Sequence, residues 1–186
     1  MSLPTGPGPR PPKREVDSLV LVNTGDGKGK STAAFGMIMR AVARGWPVAV
    51  VQFVKSGRWR SGEAEIARQL GVDWLTHGDG FTWESADLDE SAGIAREAWR
   101  LARERLTSGE YRLVVLDEVT YPITYGWVPE AEVIGGIRER APATTVICTG
   151  RAASDALIDI ADTVTEMRKI KHAYDTGVRA RRGIDY

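Results

Sequence analysis

Residues 24–32 read TGDGKGKST and stand between an apolar run, Ser18–Asn23 (SLVLVN), and a helical pattern over Lys30–Arg44. A short β-branched run bounded by a glycine loop is the signature of a buried strand. Strand, glycine loop and helix in that order match the phosphate-binding pattern GxxxxGK[ST], which lies between a strand and a helix. Thr24 occupies the position of the usual first glycine. Gly25, Gly27 and Gly29 let the backbone curl with its N–H groups pointing inward at an anion. The helix that follows adds its positive dipole end. Lys30 brings a mobile charge, and the Ser31 hydroxyl suits Mg²⁺. The expected contacts of a nucleoside triphosphate, ATP first among them, run through the whole loop, Asp26, Lys28 and Thr32 included. Asp26 must turn its carboxylate away from phosphates while its backbone N–H serves. A dinucleotide site is excluded because the glycine spacing is not GxGxxG.

Such a site needs an acidic residue at the end of a second strand. Tyr111–Leu116 (YRLVVL) followed by Asp117-Glu118 provides it. One of the two carboxylates meets Mg²⁺, directly or through water, and spacing alone leaves open which. Further strands are expected at Pro47–Val54, Val72–Thr76, Thr144–Cys148 and Asp162–Glu166. Helices are expected over 62–70, 87–107, Glu130–Arg140 and Ala153–Ile160. In the longest, Leu88, Ala92, Ala95, Trp99, Ala102 and Leu106 recur at spacings of four and three and line one face. Strands alternating with helices give an α/β domain, a mostly parallel sheet of the P-loop, RecA-like kind with helices on both faces.

Length sets one domain for 186 residues. Residues 1–17 are expected to form a flexible tail, because five prolines in the first twelve residues deny helix and ladder hydrogen bonds, leaving 18–186 as the folded domain. Twenty-five basic residues balance 25 acidic ones, which argues against wholesale nucleic-acid binding. The single cysteine, Cys148, permits no intrachain disulfide and reads as a buried strand residue. No signal-like or membrane-spanning apolar run is visible, so the chain reads as cytoplasmic.

A P-loop does not name a reaction. VNTGDGKGKSTAAFG (22–36), VVQFVKS and SGE (50–56, 61–63), GFTWE (80–84), LDEVTYPITYG (116–126), TGRAA (149–153) and ADTVTEMRKIKHAYDTGVRARRGIDY (161–186) together resemble the corrinoid adenosyltransferases, the cob(I)yrinic acid a,c-diamide adenosyltransferase family. The blocks follow the family's order and cover nearly everything from residue 20 onward. The resemblance implies transfer of the 5′-deoxyadenosyl group of ATP to the Co(I) of a reduced corrinoid, with triphosphate leaving whole. It implies ATP as co-substrate, Mg²⁺, a homodimer and an electron-donating flavoprotein reductase. It assigns Lys30 to the leaving group, and Phe81 and Trp83 to the corrinoid face, where they exclude the lower axial ligand. Without the resemblance, Phe81 and Trp83 read as ordinary packing aromatics. Arg151 follows a strand and is either a polyphosphate contact or a surface arginine. His77 and His172 read as structural histidines. Arg179, Arg181 and Arg182 are a solvated tail or contacts to corrinoid carboxylate or phosphate groups. A RecA-like ATPase, a small-molecule kinase and a nucleotide-gated switch are the competing readings of the same loop. The Pro-rich N-terminus departs from the family members whose N-terminal segment covers the corrinoid, and Asp26 and Ser31 stand where Asn and Thr are commoner.

Overall fold

The computed structural model describes residues 12–54, 61–76 and 88–185. Its strands are β1 (Val20–Thr24), β2 (Val48–Gln52), β3 (Asp73–Thr76), β4 (Leu113–Asp117), β5 (Thr145–Thr149) and β6 (Thr163–Glu166). Its helices are α1 (Lys30–Val42), α2 (Gly62–Gln69), α3 (Leu88–Thr107), α4 (Thr120–Thr124), α5 (Glu130–Arg138) and α6 (Asp155–Asp159), with a 3₁₀ helix over Ala173–Thr176. The strands form a single sheet in the order β3-β2-β4-β5-β1-β6, and every pairing is parallel. The α/β architecture expected from the alternation of elements is therefore the observed one.

The apolar strands are buried on both faces, and their alternate residues feed two cores. Val20, Val22, Ala49, Val51, Val114, Leu116, Val146 and Cys148 meet Trp99, Leu106, Ile137 and Leu157 on one side. Val48, Val50, Leu113, Val115 and Ile147 meet Phe35, Ile38 and Trp74 on the other. This is the period-two geometry of a strand acting inside a continuous apolar run. The face of α3 expected from its spacing is buried from Ala92 to Leu106. Trp99 closes the α3–α5 contact, donating Nε1–H to Glu132 Oε1 at 2.9 Å. A Cβ at Gly136 would sit 2.7 Å from its ring.

Three local features differ from the sequence expectation. The helix expected from residue 153 starts at Asp155, because Ser154 caps it by accepting the Leu157 N–H at 3.3 Å. Helix α4 has no counterpart in the sequence pattern, since Pro122 breaks a helical period; in the structure the proline lies in the first turn, where its missing N–H costs no ladder bond. Beyond β6, the 3₁₀ helix begins where the His172 side chain accepts the Tyr174 N–H.

Cys148 is fully buried, and desolvation pushes its thiol up to about 12. The unfolded chain loses this proton near the ordinary thiol value, whereas the folded chain keeps it. Stability is therefore complete below that value and falls as pH rises toward 12, by about 1.4 kcal/mol per pH unit from this group alone. Denaturant titrations across that window should show a shallower loss in Cys148→Ala than in the parent. Alkylation of the native protein by iodoacetamide at pH 8.5 should be negligible until denaturant is added.

Candidate functional site

Parallel strands place all their carboxyl ends on one edge, and ligand sites of open α/β sheets gather there. At this edge β1 runs into the glycine loop, β4 into Glu118 and β5 into Arg151. An open cavity of about 380 Å³ lies over the loop. Of the sequence-predicted residues, Asp26, Gly27, Lys28, Gly29, Lys30, Ser31, Thr32, Glu118 and Arg151 line it. Thr24, Gly25 and Asp117 do not line it.

Gly29 takes φ 115° as the N-cap of α1, a left-handed conformation that leaves α1 without a side-chain cap among the described residues. Lys30 is buried, and its ammonium donates to Gly25 O and Gly27 O, both at 2.8 Å. Burial lowers its pKa, against the opposing pull of Glu118. Asn23 Nδ2 donates to Lys30 O at 3.2 Å and ties strand to helix. Ser31, half-buried in the first turn of α1, faces the same cavity as Glu118.

The two strand-end acids have different surroundings. Asp117 is fully buried, its Oδ1 accepting from Thr149 Oγ1 at 2.8 Å and its Oδ2 from Gln52 Nε2 at 2.9 Å. Gln52 is itself held by Trp74 Nε1 at 3.0 Å and Thr76 Oγ1 at 3.3 Å, both donating to its Oε1. Glu118 leaves the strand with φ 62°, its N–H donating to Thr149 Oγ1 at 2.9 Å. Among the described residues, Glu118 and Ala152 are the non-glycine positions with positive φ. Glu118 lines the cavity, where backbone strain held by surrounding structure is a recurrent feature of functional sites, and Ala152 follows Arg151, which also lines it. Glu118 thereby reaches the cavity while Asp117 braces the ends of β2, β4 and β5.

Arg151 is exposed, donating to Tyr121 OH at 3.3 Å and standing 4.0 Å from the Asp26 carboxylate. Burial, then Glu118, raise the Tyr121 pKa. Tyr121 and Tyr125 stack behind Glu118 with centroids 6.2 Å apart.

The stretch after β6 crosses the glycine loop. Met167 N–H donates to Thr24 O at 2.7 Å, and Gly27 N–H donates to Met167 O at 2.5 Å. A Cβ at Gly25 or Gly27 would fall 2.6 or 2.5 Å from Met167 O. These glycines thus admit a crossing strand of backbone as well as a curled loop. Thr24 Oγ1 accepts the Ala153 N–H at 3.1 Å, so this side chain braces the TGRAA turn. Gln52, Thr149 and the crossing at Met167 were not singled out from sequence. Gln52 carried a signal, as the lone polar residue of VAVVQF; the crossing carried none, being a contact between distant positions. His77, Phe81 and Trp83 lie outside the described residues.

The family profile described as ATP:corrinoid adenosyltransferase BtuR/CobO/CobP matches residues 17–186. The chain belongs to this family. It is 43% identical over 168 residues to a corrinoid adenosyltransferase of Escherichia coli, covering 90% of this chain and 85% of the relative. It is 42% identical over 173 residues to the corrinoid adenosyltransferase CobA of Salmonella typhimurium, covering 93% and 88%. It is 39% identical over 175 residues to a Pseudomonas aeruginosa corrinoid adenosyltransferase, covering 93% and 86%.

Family membership makes this corrinoid adenosyltransferase an enzyme that acts with ATP on a corrinoid. No helix among the described residues is long and apolar enough to cross a membrane. Nor do the described residues gather three His, Cys, Asp or Glu side chains that could cage a metal. Mg²⁺ does not require such a cage, since it is usually held by one or two protein oxygens plus substrate phosphates and water. Ser31 and Glu118 are oxygen donors lining the same cavity, and they fit that mode.

Proposed function

We propose that this enzyme transfers the 5′-deoxyadenosyl group of ATP to the Co(I) of a reduced corrinoid and releases triphosphate whole. The observation that carries this reading is the cavity at the amino end of α1, where the loop backbone, Lys30, Arg151, Ser31 and Glu118 converge. Co(I) is itself the nucleophile: its electron pair forms the Co–C5′ bond, the C5′–O5′ bond breaks, and that pair departs with the triphosphate. Cobalt is thereby oxidised by two electrons to Co(III), and no protein nucleophile or general base is required. What the protein must supply is stabilisation of negative charge as the leaving group gains it.

Lys30 and the first-turn N–H groups of α1 stabilise that charge. Ser31 and Glu118 would hold Mg²⁺, with Asp117 orienting the strand end behind them. Mg²⁺ held there would supply Lewis-acid neutralisation of phosphate charge. Asp26, Lys28, Gly29 and Thr32 complete the cavity wall around the phosphates. Phe81 and Trp83 are proposed to cover the lower face of the corrinoid, keeping an axial ligand off Co(II) and easing its reduction. A flavoprotein donor of the electron, a homodimeric state and a cytoplasmic setting complete the proposal.

Product analysis with ATP, Mg²⁺, a reductant and cobalamin or cobinamide tests it. Adenosylated corrinoid and intact triphosphate should appear together in equal amounts. Orthophosphate without a Co–C bond would favour an ATPase instead, and a phosphorylated small molecule would favour a kinase.

A further inference from the structure

The stretch after β6 contributes more to the cavity than its crossing at Met167. Lys169, His172, Tyr174, Asp175 and Asp185 all line the same cavity as the glycine loop. Two of these acids hold cations of the same cavity. Asp175 accepts from Lys169 Nζ at 2.9 Å, and Asp185 Oδ1 pairs with Lys28 Nζ. Asp185 is set for this contact, because its Oδ2 accepts the Arg181 N–H at 2.7 Å in a turn closed by the Asp185 N–H on Arg181 O. His172, read from sequence as structural, has its Nδ1 occupied by the Tyr174 N–H at 3.0 Å. In the neutral ring the proton is then on Nε2, which leaves a single N–H donor on a cavity-lining side chain.

We propose that this stretch is the second jaw of the anion site: Lys28 and Lys169 exchange Asp185 and Asp175 for phosphate oxygens as the triphosphate group binds, and His172 donates its Nε2–H to the same group. The anion's identity rests on the function proposed above; the jaw rests on the paired geometry. Without an anion, Lys28, Lys169, Lys30 and Arg151 would repel one another across the cavity, and the two carboxylates relieve that repulsion. A polyphosphate offers each lysine several charged oxygens in place of one carboxylate. After the C5′–O5′ bond breaks, return of the carboxylates to the lysines opposes rebinding of the product. Met167, hydrogen-bonded to Thr24 and Gly27, keeps the jaw in register with the loop.

Calorimetric titration of inorganic triphosphate with Mg²⁺ at fixed ionic strength tests the jaw. Asp185→Asn and Asp175→Asn should each bind triphosphate about two- to fivefold tighter, the scale of one partly exposed ion pair removed as a competitor. Lys28→Gln combined with Asp185→Asn should erase that gain, since the exchanging cation is gone. His172→Ala should bind roughly tenfold weaker through loss of a charge-assisted hydrogen bond. Parent-like or weaker binding by both Asp variants, with His172→Ala unchanged, would overturn the jaw. The titration detects no adenosyl transfer. These shifts therefore uphold the jaw even if product analysis finds no Co–C bond, and a normal product with no shifts sinks the jaw alone.

Discussion

Lys30→Ala should lower the rate of adenosyl transfer by about 10²–10³-fold, the usual cost of removing one preorganised charge from a developing anion. The measurement is single-turnover adenosylation of corrinoid already reduced to Co(I), so that electron delivery does not mask the chemical step. Stability should change far less than rate. The lysine gains two hydrogen bonds to loop carbonyls, but its lowered pKa records that burying the ammonium is unfavourable. Lys30→Met, which keeps the length of the stem without the charge, should behave as the alanine variant does. Parent-like turnover in either folded variant would remove Lys30 from the site.

The second large effect separates two neighbouring carboxylates. Asp117→Ala should destabilise the fold by about 3 kcal/mol or more, because Gln52 and Thr149 lose their buried partner and a cavity opens between β2, β4 and β5. Glu118→Ala should leave the midpoint of thermal unfolding nearly unchanged. It should instead lower Mg²⁺-dependent transfer by about 10²-fold through weaker hold on the metal. Urea unfolding read beside initial rates distinguishes them. Equal loss of stability in both variants would contradict the division drawn from their surroundings.

This division shows what sequence could and could not reveal. LVVLDE announces a strand with acids at its end, and in a linear reading nothing but adjacency distinguishes the two acids. Only pairing decides: the register sets Gln52 opposite Asp117, and the left-handed turn at Glu118 aims the next side chain elsewhere. The sheet itself was legible because VLV, VAVV, LVVL and VIC are apolar without interruption, as strands covered on both faces must be. β6 was the weakest of the strands in sequence, since TVTE is exposed throughout and carries no burial pattern. Lys30, Ser31 and Arg151 were legible as local patterns, and the structure brings them to one cavity. The wall formed by Lys169, His172 and Asp185 was not, because its position depends on a chain crossing fixed by the whole sheet.

That crossing also sets when the site can exist. Gly27 is bonded to Met167, and β1 is paired with β6, so the glycine loop is finished by a strand synthesised long after it. A chain is synthesised from its amino end, and contacts of long sequence separation form late. A nascent chain lacking β6 presents the whole TGDGKGKST segment and yet lacks the backbone that holds it. Nucleotide would therefore become a stabilising ligand only once synthesis has passed residue 167, as a reward for completed folding and not as a template for it.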